Sequence, residues 1–185
     1  MPSPFDFDSF TQTATDLSSV DLDWKSLPDK TECLAQITSV SGESMDEFVE
    51  RDPSKWRNPN MLRLNIEWEV KDRELCEEMN MDRLVVNQRL LLELSAPPPP
   101  KGSGVILWGQ NQNQGLKDLI KATGLNKEKR FSPTMLRHQM GWIILRNRRP
   151  EGFERDITEV AFVRDPEAGR ASYEARQTKA NGAGA

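Results

Sequence analysis

From Leu62 to Lys71, within the strand-like run Met61 to Lys71, the chain alternates apolar and polar residues without a miss, so Leu62, Leu64, Ile66, Trp68 and Val70 share one face of an extended segment. That face reads as the core face of a strand. Residues 32–40 predict an earlier strand, with Cys33, Ala35 and Ile37 on one side. Residues 84–94 predict a third, with Val86, Gln88, Leu90, Leu92 and Leu94 opposite Val85, Asn87, Arg89, Leu91 and Glu93. Pro97 to Pro100 stop it, since proline cannot donate to a ladder. Leu116, Leu119 and Ile120 then recur at helical spacing over residues 114–123, and Gly124 is placed to end that helix. Residues 138–147 and 153–164 predict two last strands, joined by a basic turn from Arg148 to Gly152.

Three strands, a helix and two strands predict a mainly β fold: a five-stranded barrel of the oligonucleotide/oligosaccharide-binding (OB) kind, with one helix between strands 3 and 4. A chain of 185 residues, 36% hydrophobic and 29% charged, suffices for one modest core with polar segments left over. The expected division is an amino-terminal arm, flexible or docking, over residues 1–23, an OB domain over 24–165 and a disordered tail over 166–185. The arm is rich in Ser, Thr and Asp, with Phe5, Phe7 and Phe10 as its docking residues. The tail is expected to be disordered because Ala, Gly, Arg, Glu and Gln dominate it, with Tyr173 its one aromatic. Inside the domain, residues 41–60 read as a long polar loop, the acidic segment 72–80 as a short helix or turn, and 101–114 as a glycine- and amide-rich loop carrying Trp108.

Charge changes this picture locally. The net charge of -4 argues against general affinity for nucleic acid, but the mean hides a gradient. Residues 1–32 carry Asp6, Asp8, Asp16, Asp21, Asp23, Asp29 and Glu32 against Lys25 and Lys30. Residues 137–155 carry Arg137, Arg146, Arg148, Arg149 and Arg155 against Glu151 and Glu154. The second segment is the candidate contact surface. No apolar run reaches the roughly 18 residues a membrane span needs, and Asp6 and Asp8 stand where a secretory signal carries positive charge. A cytoplasmic protein is the expectation.

Enzymatic constellations are close to absent. His138 is the one histidine and has no nucleophile or carboxylate in a recognised motif around it. Cys33 and Cys76 have metal-ligand spacing neither to each other nor to a histidine. Glu67/Glu69 and Glu77/Glu78 read as solvated faces rather than as a metal site, and Lys101-Gly102-Ser103-Gly104 lacks the pattern that cradles phosphates. No catalytic residue, metal or cofactor is expected.

Binding signals are better. Lys55-Trp56-Arg57 pairs an aromatic face with flanking cations, as base stacking beside phosphates requires; the alternative is a tryptophan folded back as a lid over one end of the barrel. Arg146, Arg148 and Arg149 cluster at the turn between strands 4 and 5, with solvated surface arginines as the alternative. Trp108 lies among Gln110, Asn111, Gln112 and Asn113, amides able to bond bases or to cap the helix. Trp24, Trp68 and Trp142 read as core. With Arg137, the candidate nucleic-acid contacts are Lys55, Trp56, Arg57, Trp108, Arg137, Arg146, Arg148 and Arg149. The outward face of strand 2, Arg63, Asn65, Glu67 and Glu69, is mixed in charge.

Phe5-Asp6-Phe7-Asp8, Leu27-Pro28, the helix Gly115-Leu116-Lys117-Asp118-Leu119-Ile120-Lys121-Ala122-Thr123-Gly124 and a closing strand pair ending near Val163 together resemble a bacteriophage family, long catalogued as a domain of unknown function, of OB-fold single-stranded-DNA-binding proteins. The resemblance spans most of residues 4–164. It implies a host-cytoplasmic, non-catalytic phage protein that holds single-stranded DNA during replication or recombination, with other replication or recombination proteins as partners. The chain departs from that pattern in its long loops at 41–60 and 96–114, and in the reduction of a glycine-rich, lysine-containing first turn to Ser41-Gly42-Glu43. The rival reading is a protein-interaction module of phage assembly or host takeover, presenting the arm or Pro97 to Pro100 to a partner. A nuclease on the same fold is a third.

Overall fold

The computed structural model describes residues 27–149, 152 and 156–182. The arm with Phe5, Phe7 and Phe10, together with Trp24 and the acidic and basic residues Glu151, Glu154 and Arg155, lies outside these residues. Five strands carry the fold: β1 (Glu32–Ser44), β2 (Met61–Val70), β3 (Val85–Glu93), β4 (Met140–Arg148) and β5 (Ile157–Arg164). Their spatial order, β1-β2-β3-β5-β4 with β4 returning to β1, closes the sheet in a ring. Every neighbour is antiparallel except β3 and β5, which run parallel and pair at Asn87 and Glu159.

The alternation in β2 sets which face looks inward. Ile37, Trp68 and Val86 are opposite one another on three adjacent strands, as are Val40, Ile66 and Gln88 one step further along, and all six are buried. β1 stays in both pairings because its register shifts between Ile37 and Ser39, an irregularity of the kind that bends a strand. It also continues to Ser44, where polar composition predicts a loop from Ser41. The pairing of Ser41 to Ser44 with Asn65 to Leu62 supplies what their side chains do not.

Among the described residues, α1 (Asp46–Arg51), α2 (Arg73–Glu78) and α3 (Gln114–Ala122) lie in the connections, and α4 (Pro166–Gly182) follows β5. The Asp72 carboxylate accepts from the Leu75 amide at 3.2 Å and so caps α2. α3 is the expected helix between strands 3 and 4. It buries Leu116, Leu119, Ile120 and Ala122, joins Leu125 and Leu136 in the core, and ends at Gly124 with φ 76°.

Two expectations are corrected at the carboxyl end. Composition predicts disorder beyond Pro166, yet that segment forms α4 and packs on the outside of the ring. Trp142, expected in the core, lies on that outer side and is buried by the helix. The contact depends on Gly169, where an added Cβ would stand 2.2 Å from Trp142 Cγ. Tyr173 adds a ring 5.7 Å from that of Trp142. The Glu32 carboxylate accepts from Trp142 Nε1 at 3.1 Å and from the Arg176 guanidinium at 2.7 Å. A mean composition cannot show that a weakly apolar helix has one glycine where an indole needs room.

Gly169→Ala therefore separates helix propensity from docking. The substitution raises intrinsic helicity by about 1 kcal/mol while blocking the approach to Trp142. Faster tryptic cleavage at Arg170 and Arg176, with the melting temperature of the ring nearly unchanged, is the expected result.

Candidate nucleic-acid interface

The sequence-derived cations at the β4–β5 turn are brought together, but not left free. Arg146 donates to Glu159 at 2.6 Å, Arg148 stands 3.7 Å from the same carboxylate, and Arg149 bonds Asp156 at 2.9 Å. Glu159 is held in that position by pairing with both Arg146 and Asn87. Exposed ion pairs of this kind contribute little stability, roughly 0–1 kcal/mol, but they cancel much of the field an arginine cluster would offer a phosphate.

The group around Trp56 is divided as well. Lys55 bonds Asp52 at 2.8 Å, while Arg57 is exposed and forms no ion pair among the described residues. Trp56 is half-buried against Met45, Val49 and Met61, a small apolar cluster beneath α1 on the outside of β2, and its Nε1 is buried without a hydrogen-bond partner. The ring is folded back onto this outer cluster and not over an end of the barrel. Arg137 is exposed and reaches the Val40 carbonyl at 3.4 Å. His138 has a φ of 67° and sits just outside β4.

Trp108 is 47% exposed, and its environment is built rather than incidental. Asn113, buried and left-handed at φ 52°, accepts from the Glu93 amide at 2.8 Å and donates to the Glu93 and Leu107 carbonyls at 3.0 and 2.8 Å. It fastens the loop after β3 to the end of that strand. Gln112 accepts from the Gly109 amide at 3.0 Å, and the Lys117 ammonium donates to the Gly109 carbonyl at 2.6 Å, one residue from Trp108. The Phe131 ring meets Trp108 edge to face at 6.0 Å. Phe131 is preceded by Lys127, Lys129 and Arg130. With Lys117 and Lys121 these make five cations that form no ion pair among the described residues, against Asp118 and Glu128.

A second exposed aromatic stands beside this loop. Phe48 on α1 has the guanidinium of Arg63 at 5.0 Å and that of Arg51 at 5.9 Å from its ring centroid. Pairing places Arg63 opposite Leu91 and Asn65 opposite Arg89 on the outer face of β2 and β3, and Arg63 also bonds Glu43 at 3.1 Å. Lys101 ties the Trp108 loop to α1 through Asp46 at 2.7 Å, and Asn58 donates to the Leu94 carbonyl at 2.9 Å. The Lys101 ammonium holds the Asp46 carboxyl below its usual range, and Asp46 in turn raises Lys101. The Asp46 share of this tie is present above the ordinary carboxylate pKa and lost as pH falls through the lowered one. The Lys101 share is present below the ordinary lysine pKa and lost as pH rises through the raised one. At neutral pH both are present.

Sequence reasoning missed Phe131 and Phe48. Lys129-Arg130-Phe131 repeats the cation-aromatic signal of Lys55-Trp56-Arg57 and was legible on the same terms. Phe48 was not, because its two arginines come from its own helix and from a strand 15 residues on.

The described residues hold no group of three or more His, Cys, Asp and Glu side chains able to bind a metal ion. Burial pushes the Cys33 thiol up to about 12, with Asp72 and Cys76 adding to the shift, so that sulfur is no nucleophile at neutral pH. No helix among the described residues is long and apolar enough to cross a membrane. No family model matches the chain, and neither does any protein in a search of curated proteins or of solved structures.

Asn113→Ala leaves the Glu93 amide and the Leu107 carbonyl without the Asn113 side chain, while the Glu93 carbonyl keeps the Leu107 amide at 3.1 Å, a loss of about 1–3 kcal/mol in stability. Chemical denaturation measures the loss, and accelerated amide exchange confined to residues 93–112 identifies the loop as its source.

Proposed function

We propose that this protein binds single-stranded DNA without catalysis and largely without regard to sequence, and that its ring is an OB-type barrel of the bacteriophage single-stranded-DNA-binding kind. The observation that carries the reading is the Trp108–Phe131 pair, half-open to solvent, with five cations in the segment leading to Phe131 that form no ion pair among the described residues and outnumber its two acids, Asp118 and Glu128. A base stacks on the free face of an aromatic ring while phosphates meet the ammonium and guanidinium groups beside it. The strand order, with a helix between the third and fourth strands, supports the OB assignment. OB barrels bind strands on the face of strands 2 and 3 and in the loops joining strands 1 to 2 and 4 to 5. Arg63, Arg89 and Leu91 lie on that face, and Phe48 of α1, in the first of those connections, stands over Arg63, while Lys101 ties α1 to the Trp108 loop.

This reading moves the emphasis away from the β4–β5 turn. Arg146, Arg148 and Arg149 contribute after exchanging Glu159 and Asp156 for phosphate, and so contribute less than free cations do. Action in phage replication or recombination, in the host cytoplasm, follows from the family resemblance alone. The protein-interaction reading keeps one specific support, the net charge of -4.

Fluorescence anisotropy with a labelled single strand of about 30 bases tests the proposal, given about 4–16 nucleotides per OB domain. Trp108→Ala is expected to weaken binding by about 1–3 kcal/mol, the value of one lost base stack. Replacing Lys129 and Arg130 by alanine should flatten the slope of log affinity against log salt by about 1.4, two phosphate contacts at about 0.7 each. The same change at Arg148 and Arg149 should flatten it less. Equal affinity for duplex and single strand, or a slope untouched by both double variants, rejects the proposal.

A further inference from the structure

β3 and β5 pair at Asn87 and Glu159 and then separate. A groove of about 700 Å³ opens where they diverge, walled by Gln88 and Leu90 of β3, Leu119 and Ala122 of α3, and Phe162 and Val163 of β5. Phe162 is 68% exposed, the most exposed large apolar side chain among the described residues. Beyond Asn87, residues 88–92 of β3 and 160–164 of β5 each turn toward the groove an edge that has no ladder partner among the described residues. Two open edges and an apolar lining are what an extended peptide needs to add as a strand, with main-chain bonds giving affinity and alternate side chains filling the pocket.

We propose that the groove receives Phe5-Asp6-Phe7-Asp8 of this same chain. The segment alternates without a miss, so an extended conformation puts Phe5 and Phe7 on one face, toward Leu90, Leu119 and Phe162, and Asp6 and Asp8 on the other. The rim offers Lys121 and Arg164 to those carboxylates. Of the two acids there, Asp165 is occupied by the Glu167 and Ala168 amides at 3.1 and 3.0 Å, which leaves Asp118 as the one opposing charge.

The place where the described chain begins favours docking within one molecule. The Leu27 carbonyl accepts from Asn147 Nδ2 at 2.6 Å, and Asn147 Oδ1 accepts from Thr158 of β5 at 2.8 Å. Phe162 lies four residues further along β5, roughly 13 Å away. A flexible connector of 20 residues would span about 22–27 Å, which would let the arm reach the groove at a millimolar effective concentration. The inference does not rest on the nucleic-acid reading; the two share one residue, Lys121.

Hydrogen exchange by mass spectrometry on the full chain tests it, comparing wild type with Phe5→Ala/Phe7→Ala and with Phe162→Ser. A contact of ~0.1 mM affinity at an effective concentration of ~1 mM slows exchange about tenfold. Wild type should show that slowing at residues 88–92 and 160–164, both variants should lose it, and a peptide of residues 1–12 added to Phe5→Ala/Phe7→Ala should restore it. Equal exchange in all three proteins at those segments overturns the proposal. Protection that comes with a doubled mass in light scattering, abolished by Phe5→Ala/Phe7→Ala, overturns it in favour of docking between copies.

Discussion

Trp68 sets the width of the ring. It is the largest fully buried side chain among the described residues, and it reaches from β2 across the interior, donating from Nε1 to Gln88 on β3 at 3.1 Å. On the far side its ring lies against Gly141 of β4, where an added Cβ would come within 2.9 Å of it and 2.8 Å of Val163. One indole thus touches three strands of the closed sheet, and each contact has a composition it requires. Gln88 is a polar residue in a core position because the indole N–H must be satisfied once buried. Gly141 is a glycine because the opposite wall has no room for a side chain. The inward alternation of β2 and β3 follows from that register, and a slip by one residue would turn Trp68 out into water.

The parts of the fold that follow from this constraint were legible, and the parts set by partners distant in sequence were not. Period-two alternation over 61–71 and 84–94 and the helical spacing of Leu116, Leu119 and Ile120 located three elements to within a residue or two, because each element buries one face of its own. The extension of β1 to Ser44 was invisible, since its last residues are polar and are strand only through β2. Trp142 misled for a different reason: its burial comes from α4, whose mean composition reads as disorder. Arg146, Arg148 and Arg149 formed a basic patch in the sequence, but register placed Glu159 among them, and only pairing across two strands reveals that.

Charge pairing also explains how a chain of net charge -4 accommodates a local surface with an excess of cations. Many of the arginines and lysines of the ring are held by neighbouring carboxylates, as Arg63, Lys71, Arg83, Arg146 and Arg149 are. The stretch from Lys117 to Phe131 departs from that pattern, with two acids against its five cations. It lies between β3 and β4, in the part of that connection beyond the Leu94–Ile106 bridge. A surface of that sign on an acidic protein favours partners whose negative charge is dense and local over partners that respond to the total.

Under the proposed reading, the same loop accounts for indifference to base sequence. Reading a base edge takes donors and acceptors free to meet it, and the amides nearest Trp108 are engaged elsewhere. Asn113 spends all its bonds on Glu93 and Leu107, Gln112 holds the Gly109 amide and reaches Glu93 at 3.4 Å, and Gln114 bonds the Gln110 carbonyl. Gln110 and Asn111 remain exposed. What the loop presents is therefore chiefly a ring face and cations, which every nucleotide can use. Two of the four amides that looked like base readers in the sequence, Gln112 and Asn113, instead fix the backbone on either side of Trp108, and that rigidity lowers the entropy lost when a base stacks on it.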